Sequence, residues 1–104
     1  MSKWADYAIT AVQYDRIGDQ VRIGAVEVRM DLGGRVGYAE IWRREQILDA
    51  VTIDHETFVT SVLAANGAWS KGAHVRVLRV NGIEYIRADR NPIAQDDLGG
   101  VPEF

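Results

Sequence analysis

Two arginines in the second half of the chain have the spacing of an anion-binding site. They flank Asn81-Gly82, and Asn-Gly between two β-prone runs is typical of a two-residue hairpin turn. Such a turn fixes the strand register and places Arg76 opposite Arg87, with the two side chains starting about 5 Å apart. Two guanidinium groups this close can hold a phosphate or carboxylate between them. The sequence therefore predicts an anion site at Arg76 and Arg87, to which Arg90 could contribute.

A structural interpretation of the same two arginines competes with this one. Like charges directly opposite each other destabilise a sheet, and the carboxylates of Asp89, Asp96 or Asp97 could neutralise them. Residues 71–90 carry five basic and two acidic side chains, whereas residues 91–104 carry three acidic and no basic ones. We therefore expect the acidic end of the chain to fold back over the basic hairpin.

Two polar clusters could supply a general base. The hairpin register places His74 opposite Asp89, and Asp54-His55-Glu56 forms a second cluster. A surface polar pair explains His74 and Asp89 equally well. We expect no metal site and no cofactor, because a metal needs three or four converging ligands and the chain offers two histidines and no cysteine.

Composition excludes several classes of protein. The 104 residues are 47% apolar and 26% charged, as in a single globular domain. The absence of cysteine excludes disulfides and thiolate zinc sites and favours a cytoplasmic location. No apolar run approaches the roughly 18 residues of a membrane helix, so we expect no membrane contact. Although aromatic residues beside arginines could stack on bases, the net charge of −3 makes nucleic-acid binding unfavourable.

Strands must position these groups. β-branched and aromatic residues dominate several runs, which are predicted as strands. The apolar alternation of the second run slips by one residue at Gly24, which predicts a β-bulge. The predicted strands cover residues 6–14, 21–30, 57–63, and 74–80 with 83–88.

One short helix is predicted over Arg44–Val51, with Ile47, Leu48 and Val51 on one face. A helix this short is not stable alone in water and must pack on the sheet. The glycine-rich segment 32–37 is predicted to be a mobile loop, since it lacks the Lys-Ser/Thr ending of a phosphate-binding loop.

These elements predict an α+β fold in a single domain, 1–104. We expect a curved, mostly antiparallel sheet of about five or six short strands, which could close into a small barrel, with one short helix packed on it. Residues 92–104 are predicted to form an irregular tail docked on the sheet. Its anchors are the apolar or rigid residues Leu98, Val101, Pro102 and Phe104.

Several short motifs, in order along nearly the whole chain, resemble a known family. They lie at residues 6–10, 42–47, 57–59, 85–89 and 96–104. Together they are similar to the small bacterial proteins of domain-of-unknown-function family number 3892. The resemblance implies no activity, substrate or catalytic residue, but it selects Tyr85, Arg87 and the closing residues as positions that match family motifs. The chain departs from the family pattern where Ala88 replaces Thr, Asp97 replaces Asn and Phe104 replaces Cys.

We therefore expect a small non-catalytic binding or interaction module, acting in a homo-oligomer or with a protein partner, because short hairpins leave unpaired strand edges. The alternative is a binder of a small anionic ligand, phosphate or nucleotide, through arginines of the 74–89 hairpin. A third hypothesis is an enzyme that uses His74 with Asp89, or His55 with Glu56.

Overall fold

The computed structural model describes residues 4–33, 36–91 and 93–104. Six strands and one helix follow one another within these residues. They are β1 (Tyr7–Ile17), β2 (Gln20–Asp31), β3 (Val36–Arg43), α1 (Arg44–Thr52), β4 (Phe58–Leu63), β5 (Trp69–Val80) and β6 (Ile83–Arg87).

The six strands form one mixed sheet in the order β3-β2-β1-β4-β5-β6. Strands β1 and β4 pair in parallel, and the other four neighbouring pairs are antiparallel. A sheet with one short helix agrees with the expected α+β class. Closure into a small barrel is not confirmed, because among the described residues β3 and β6 are the outer strands and do not pair with each other.

The predicted bulge in β2 is confirmed. Gln13 lies opposite Ala25 and Tyr14 lies opposite Ile23, so Gly24 has no residue across from it on β1. A Cβ atom at Gly24 would lie 2.7 Å from a carboxylate oxygen of Asp15. Only glycine therefore fits this position without displacing the neighbouring strand's side chain.

The tight turn between β5 and β6 is also confirmed. Asn81 has φ 52° and Gly82 has φ 79°, the left-handed pair that a two-residue hairpin turn requires. The register follows as expected, with Arg76 opposite Arg87 and Arg79 opposite Glu84.

The interpretation of residues 32–37 as a mobile loop is wrong for Val36 and Gly37, which belong to strand β3. The chain turns at Gly33, which has φ 72°, and β3 then runs from Val36 through Gly37 along β2. Residues 34 and 35 of the expected loop lie outside the described residues. Glycines at the start of β3 weaken the β-strand signal of Tyr38, Glu40 and Trp42, which alternate along the strand before α1.

The core lies between the sheet and α1. Helix α1 buries Ile47 and Ala50 against the sheet, and its first turn is closed by the Arg43 backbone N–H, which donates to the Gln46 side chain at 2.8 Å. The largest fully buried apolar side chains of the sheet are Ile9, Val12, Val26, Val28, Phe58, Val59 and Ile86.

The C-terminal segment, residues 93–104, docks on two strands at once. The segment begins beside β6, where the N–H of Ala88 donates to the carbonyl of Asp97 at 2.8 Å. Leu98 and Val101 then enter the core with 1% and 6% of their surface exposed. The segment ends beside β1, where the N–H of Val12 donates to the carbonyl of Pro102 and the carbonyl of Val12 accepts from Phe104. Leu98 and Val101 thus anchor through their side chains, whereas Pro102 and Phe104 anchor through their backbone.

One buried carboxylate joins the C-terminal segment to three other elements. Asp96 is 1% exposed and accepts the backbone N–H groups of Ile23 at 2.8 Å and Ile86 at 2.9 Å. It also accepts Arg44 Nε at 2.8 Å and Nη2 at 3.2 Å, and Arg44 donates further to the carbonyl of Glu84. These hydrogen bonds to Asp96 raise the pKa of Arg44 above its usual value. Strands β2 and β6 and the start of α1 are therefore held by one side chain.

Substituting Asp96 should cost far more stability than substituting its neighbour. In Asp96→Asn, the amide NH₂ would face donors whichever way it turned, and Arg44 would lose its counter-charge. We expect a loss of about 3 kcal/mol in the free energy of unfolding, measured by urea denaturation. The control Asp97→Asn removes a half-exposed charge 3.7 Å from Arg87 and should cost less than about 1 kcal/mol. Equal losses in the two variants would contradict the role given to Asp96.

Candidate functional site

The guanidinium of Arg87 is engaged by its own chain. Arg87 is 3% exposed and donates to both carboxylate oxygens of Asp89, at 2.7 and 2.8 Å, and to the carbonyl of Gln95 at 2.9 Å. Asp97 lies 3.7 Å away. This bidentate pair holds the pKa of Asp89 at about 2, below its usual 3.8. The arrangement favours the structural interpretation, in which acidic residues neutralise the hairpin.

The other two predicted anion ligands are placed differently. Arg76 lies opposite Arg87 and is half-buried, and Arg90 is exposed in the turn after β6. Neither makes an ion pair within the described part of the chain. Arg76 and Arg90 are therefore available to bind an anion, whereas Arg87 holds the C-terminal segment in place.

His74 and Asp89 do not form the expected polar pair. The β5–β6 ladder ends at Arg76 and Arg87, and Asp89 beyond it binds Arg87 and Asn91. On the other edge of β5, His74 lies opposite Val59 of β4, and no hydrogen bond joins it to Asp89 among the described residues. The predicted pair lies two residues past the end of the ladder on each strand.

A groove of about 550 Å³ lies between β5 and the loop that follows α1. Both histidines line it, together with Arg76, Arg79 and Glu56. His55 adopts φ 54°, a conformation that costs energy for a side chain of this type. Arg79 pairs with Glu84 across the hairpin at 3.9 Å with most of its side chain exposed. The groove has mixed charge and brings His55 and His74 to one surface, although the sequence places them in two separate polar clusters.

A second cavity, of about 330 Å³, lies beside β3 and is named here the β3 cleft. Alternate residues of β3 face it, since Tyr38, Glu40 and Trp42 share one side of the strand. No other described residue that lines the cleft is charged, so Glu40 carries its one formal charge. These other lining residues are Tyr7, Val28, Met30, Leu32 and Gly37.

The floor of the β3 cleft is an ordered aromatic cluster. The ring of Tyr7 lies 5.0 Å from the ring of Trp42 and 5.2 Å from that of Phe58. Trp42 Nε1 donates to Glu40 Oε2 at 3.0 Å, which fixes the carboxylate beside the indole. Burial raises the pKa of the Tyr7 hydroxyl, and the charges of Glu56, Asp6, Glu40 and Asp54 raise it further. The cleft therefore combines aromatic walls with negative potential.

The rim of the β3 cleft exposes large aromatic and aliphatic side chains to solvent. Tyr38 is 95% exposed, and Met30 and Leu32 are 51% and 43% exposed. This site was not predicted from the sequence, because no strand was predicted at residues 36–43. The alternation of Tyr38, Glu40 and Trp42 was the available signal, since every second residue of a strand faces the same side.

Comparison with known proteins adds no relative. No protein-family model matches the chain, and neither the curated proteins nor the solved structures yielded a match. The resemblance to the domain-of-unknown-function family therefore stays a prediction. Within the described residues, no helix is long and apolar enough to cross a membrane, and no group of three or more His, Asp or Glu side chains is placed to hold a metal ion.

The Arg87–Asp89 pair should make stability depend on pH in acid. Because the pKa of Asp89 is lowered to about 2 in the folded chain, its contribution is complete above the usual carboxyl value and is lost as the pH falls through 2. We expect Asp89→Asn to melt at a lower temperature than the wild type, by an amount that is constant from pH 7 to 5. The gap should narrow between pH 4 and 2. A gap that had closed by pH 5 would contradict the ion pair.

Proposed function

We propose that the protein is a non-catalytic interaction module that acts through strand β3, by adding β3 of a second copy to its sheet. One observation carries the proposal. Strand β3 is eight residues long, and within the described residues no strand pairs with its outer edge. An unpaired edge presents a row of N–H and C=O groups that another strand can satisfy.

The side chains of β3 support pairing rather than protection. Natural edge strands are commonly blunted by proline, lysine or inward-pointing charge. Strand β3 contains one acidic and one basic residue, Glu40 and Arg43, and no proline. Tyr38 on one face and Ile41 on the other are 95% and 59% exposed. Apolar groups exposed on both faces fit a sheet that continues past this edge.

Charge disfavours one register between the two copies. A twofold axis through Ala39 places Tyr38 opposite Glu40 of the second copy and Val36 opposite Trp42 of the second copy. A twofold axis through Glu40 would instead place the two Glu40 carboxylates directly opposite each other, which is unfavourable. We therefore propose the antiparallel register centred on Ala39 over the one centred on Glu40.

Sedimentation velocity over a range of protein concentration tests the dimer. Ile41→Lys adds an edge charge in each copy, and the new lysine faces Glu27 of β2, so the monomer should keep its fold. We expect its dimer to dissociate on the order of tenfold more readily than the wild type. Ile53→Lys is the matched control, because Ile53 is 67% exposed and lies outside β3. A wild type that is monomeric at every concentration would overturn the proposal.

A small anion in the groove beside β5 is the second candidate. The observation that favours it is the position of Arg76, which lines the groove with His55 and His74 and has no ion pair within the described residues. This site differs from the sequence-based one, since Arg87 does not contribute to it. A groove of this size is within the usual range for small ligands.

Thermal shift with phosphate and pyrophosphate tests the anion site. If it exists, ligand at 100 times its dissociation constant should stabilise the wild type by about 2.7 kcal/mol. Arg76→Gln should abolish most of that stabilisation, whereas Arg90→Gln, an exposed arginine outside the groove, should not. A stabilisation that survives Arg76→Gln, or none in the wild type, would remove the anion candidate.

A further inference from the structure

We infer that the β3 cleft binds an alkylammonium group, held between the aromatic rings of Tyr7, Tyr38 and Trp42 beside the Glu40 carboxylate. The inference concerns a different ligand from the second copy proposed above and does not depend on dimer formation. Aromatic cages with a nearby carboxylate are a general solution to binding a cation that carries methyl groups, because ring faces are negative and tolerate apolar contact.

The geometry of the cleft fits this ligand class. Three aromatic residues line a cavity of about 330 Å³, at the lower end of the range for small-molecule sites. Tyr7 and Trp42 are fixed by their mutual packing at 5.0 Å, so two walls are preformed. Tyr38 projects from the rim into solvent, and rotation about its side-chain bonds can bring its ring over a bound group.

The electrostatics of the cleft also favour a cation. Glu40 is held beside the Trp42 indole by the 3.0 Å hydrogen bond from Nε1, and no described basic side chain lines the cavity. Asp6, Asp54 and Glu56 add negative charge near Tyr7, as their effect on its hydroxyl shows. An anion would meet repulsion from all four carboxylates, and a neutral apolar ligand would gain nothing from them.

Packing alone does not explain the cleft. Phe58 belongs to the core, and Tyr7 and Trp42 pack against it, so a structural role is sufficient for these three rings. Tyr38 is 95% exposed, so stability does not require an aromatic ring there. The combination of a free ring, a fixed ring pair and an oriented carboxylate is what points to a ligand.

Titration followed by the indole N–H signal of Trp42 in a proton–nitrogen NMR spectrum tests the inference. The probes are tetramethylammonium and choline, with 3,3-dimethylbutanol as the uncharged counterpart of choline. We expect both cations to shift the Trp42 signal with dissociation constants on the order of millimolar, and the alcohol to bind at least about fivefold more weakly. The titration is run at protein concentrations below and above the one at which the protein self-associates. Cation binding at both concentrations shows that the site does not depend on the proposed dimer.

Variants at the exposed rim give matched controls that keep the fold. Tyr38→Phe keeps the ring and should bind as the wild type does, whereas Tyr38→Leu should weaken the cations several-fold. Glu40→Gln keeps an acceptor for the indole and should also weaken them several-fold. A further probe is trimethyllysine, used as a single residue with both ends capped. Tighter binding than choline indicates that the natural ligand is a modified polypeptide. Weaker binding than choline indicates that it is a free metabolite. The absence of a shift at 50 mM cation, or equal binding of the alcohol, would overturn the inference.

Discussion

The burial of Asp96 is the constraint on which the rest of the structure depends. A carboxylate that is 1% exposed must have its charge and lone pairs satisfied by the protein, and here Arg44 and two backbone N–H groups do so. The three partners come from β2, α1 and β6, which are distant along the chain. The C-terminal segment that carries Asp96 is thus part of the fold, and its position orients the helix and the basic hairpin together.

This arrangement gives the sheet two different ends. At the β6 end, the C-terminal segment covers the outer strand, and Arg87 is enclosed by Asp89 and the carbonyl of Gln95. At the β3 end, no described segment covers the outer strand, and exposed aromatic and aliphatic side chains surround a cavity. Arg87, the central arginine of the sequence-predicted anion site, therefore stabilises the fold, whereas the less conspicuous β3 end has the properties of an interaction surface.

The features that could be predicted from sequence are those with local causes. The Asn81-Gly82 turn, the bulge at Gly24 and the helix at residues 44–51 each depend on neighbouring residues, and each is present. Strand β3 was missed because glycines at its start weaken the β signal and it lies on the edge of the sheet. The bond from Ile23 to Asp96 spans 73 residues, and the parallel pairing of β1 with β4 joins strands separated by α1, so no local pattern reveals either contact. The β3 cleft depends on both the missed strand and the packing of Tyr7, and sequence reasoning could not assemble it.

Residue-resolved hydrogen exchange at low and high protein concentration tests most directly whether one end of the sheet is locked and the other is available. We expect the amides of Ile23 and Ile86, which donate to Asp96, to exchange only with global unfolding and equally at both concentrations. The outward-facing amides of β3 should exchange fast in dilute solution and slow down as the concentration rises. Rapid exchange at Ile23 and Ile86, or β3 amides with the same protection at both concentrations, would contradict this account.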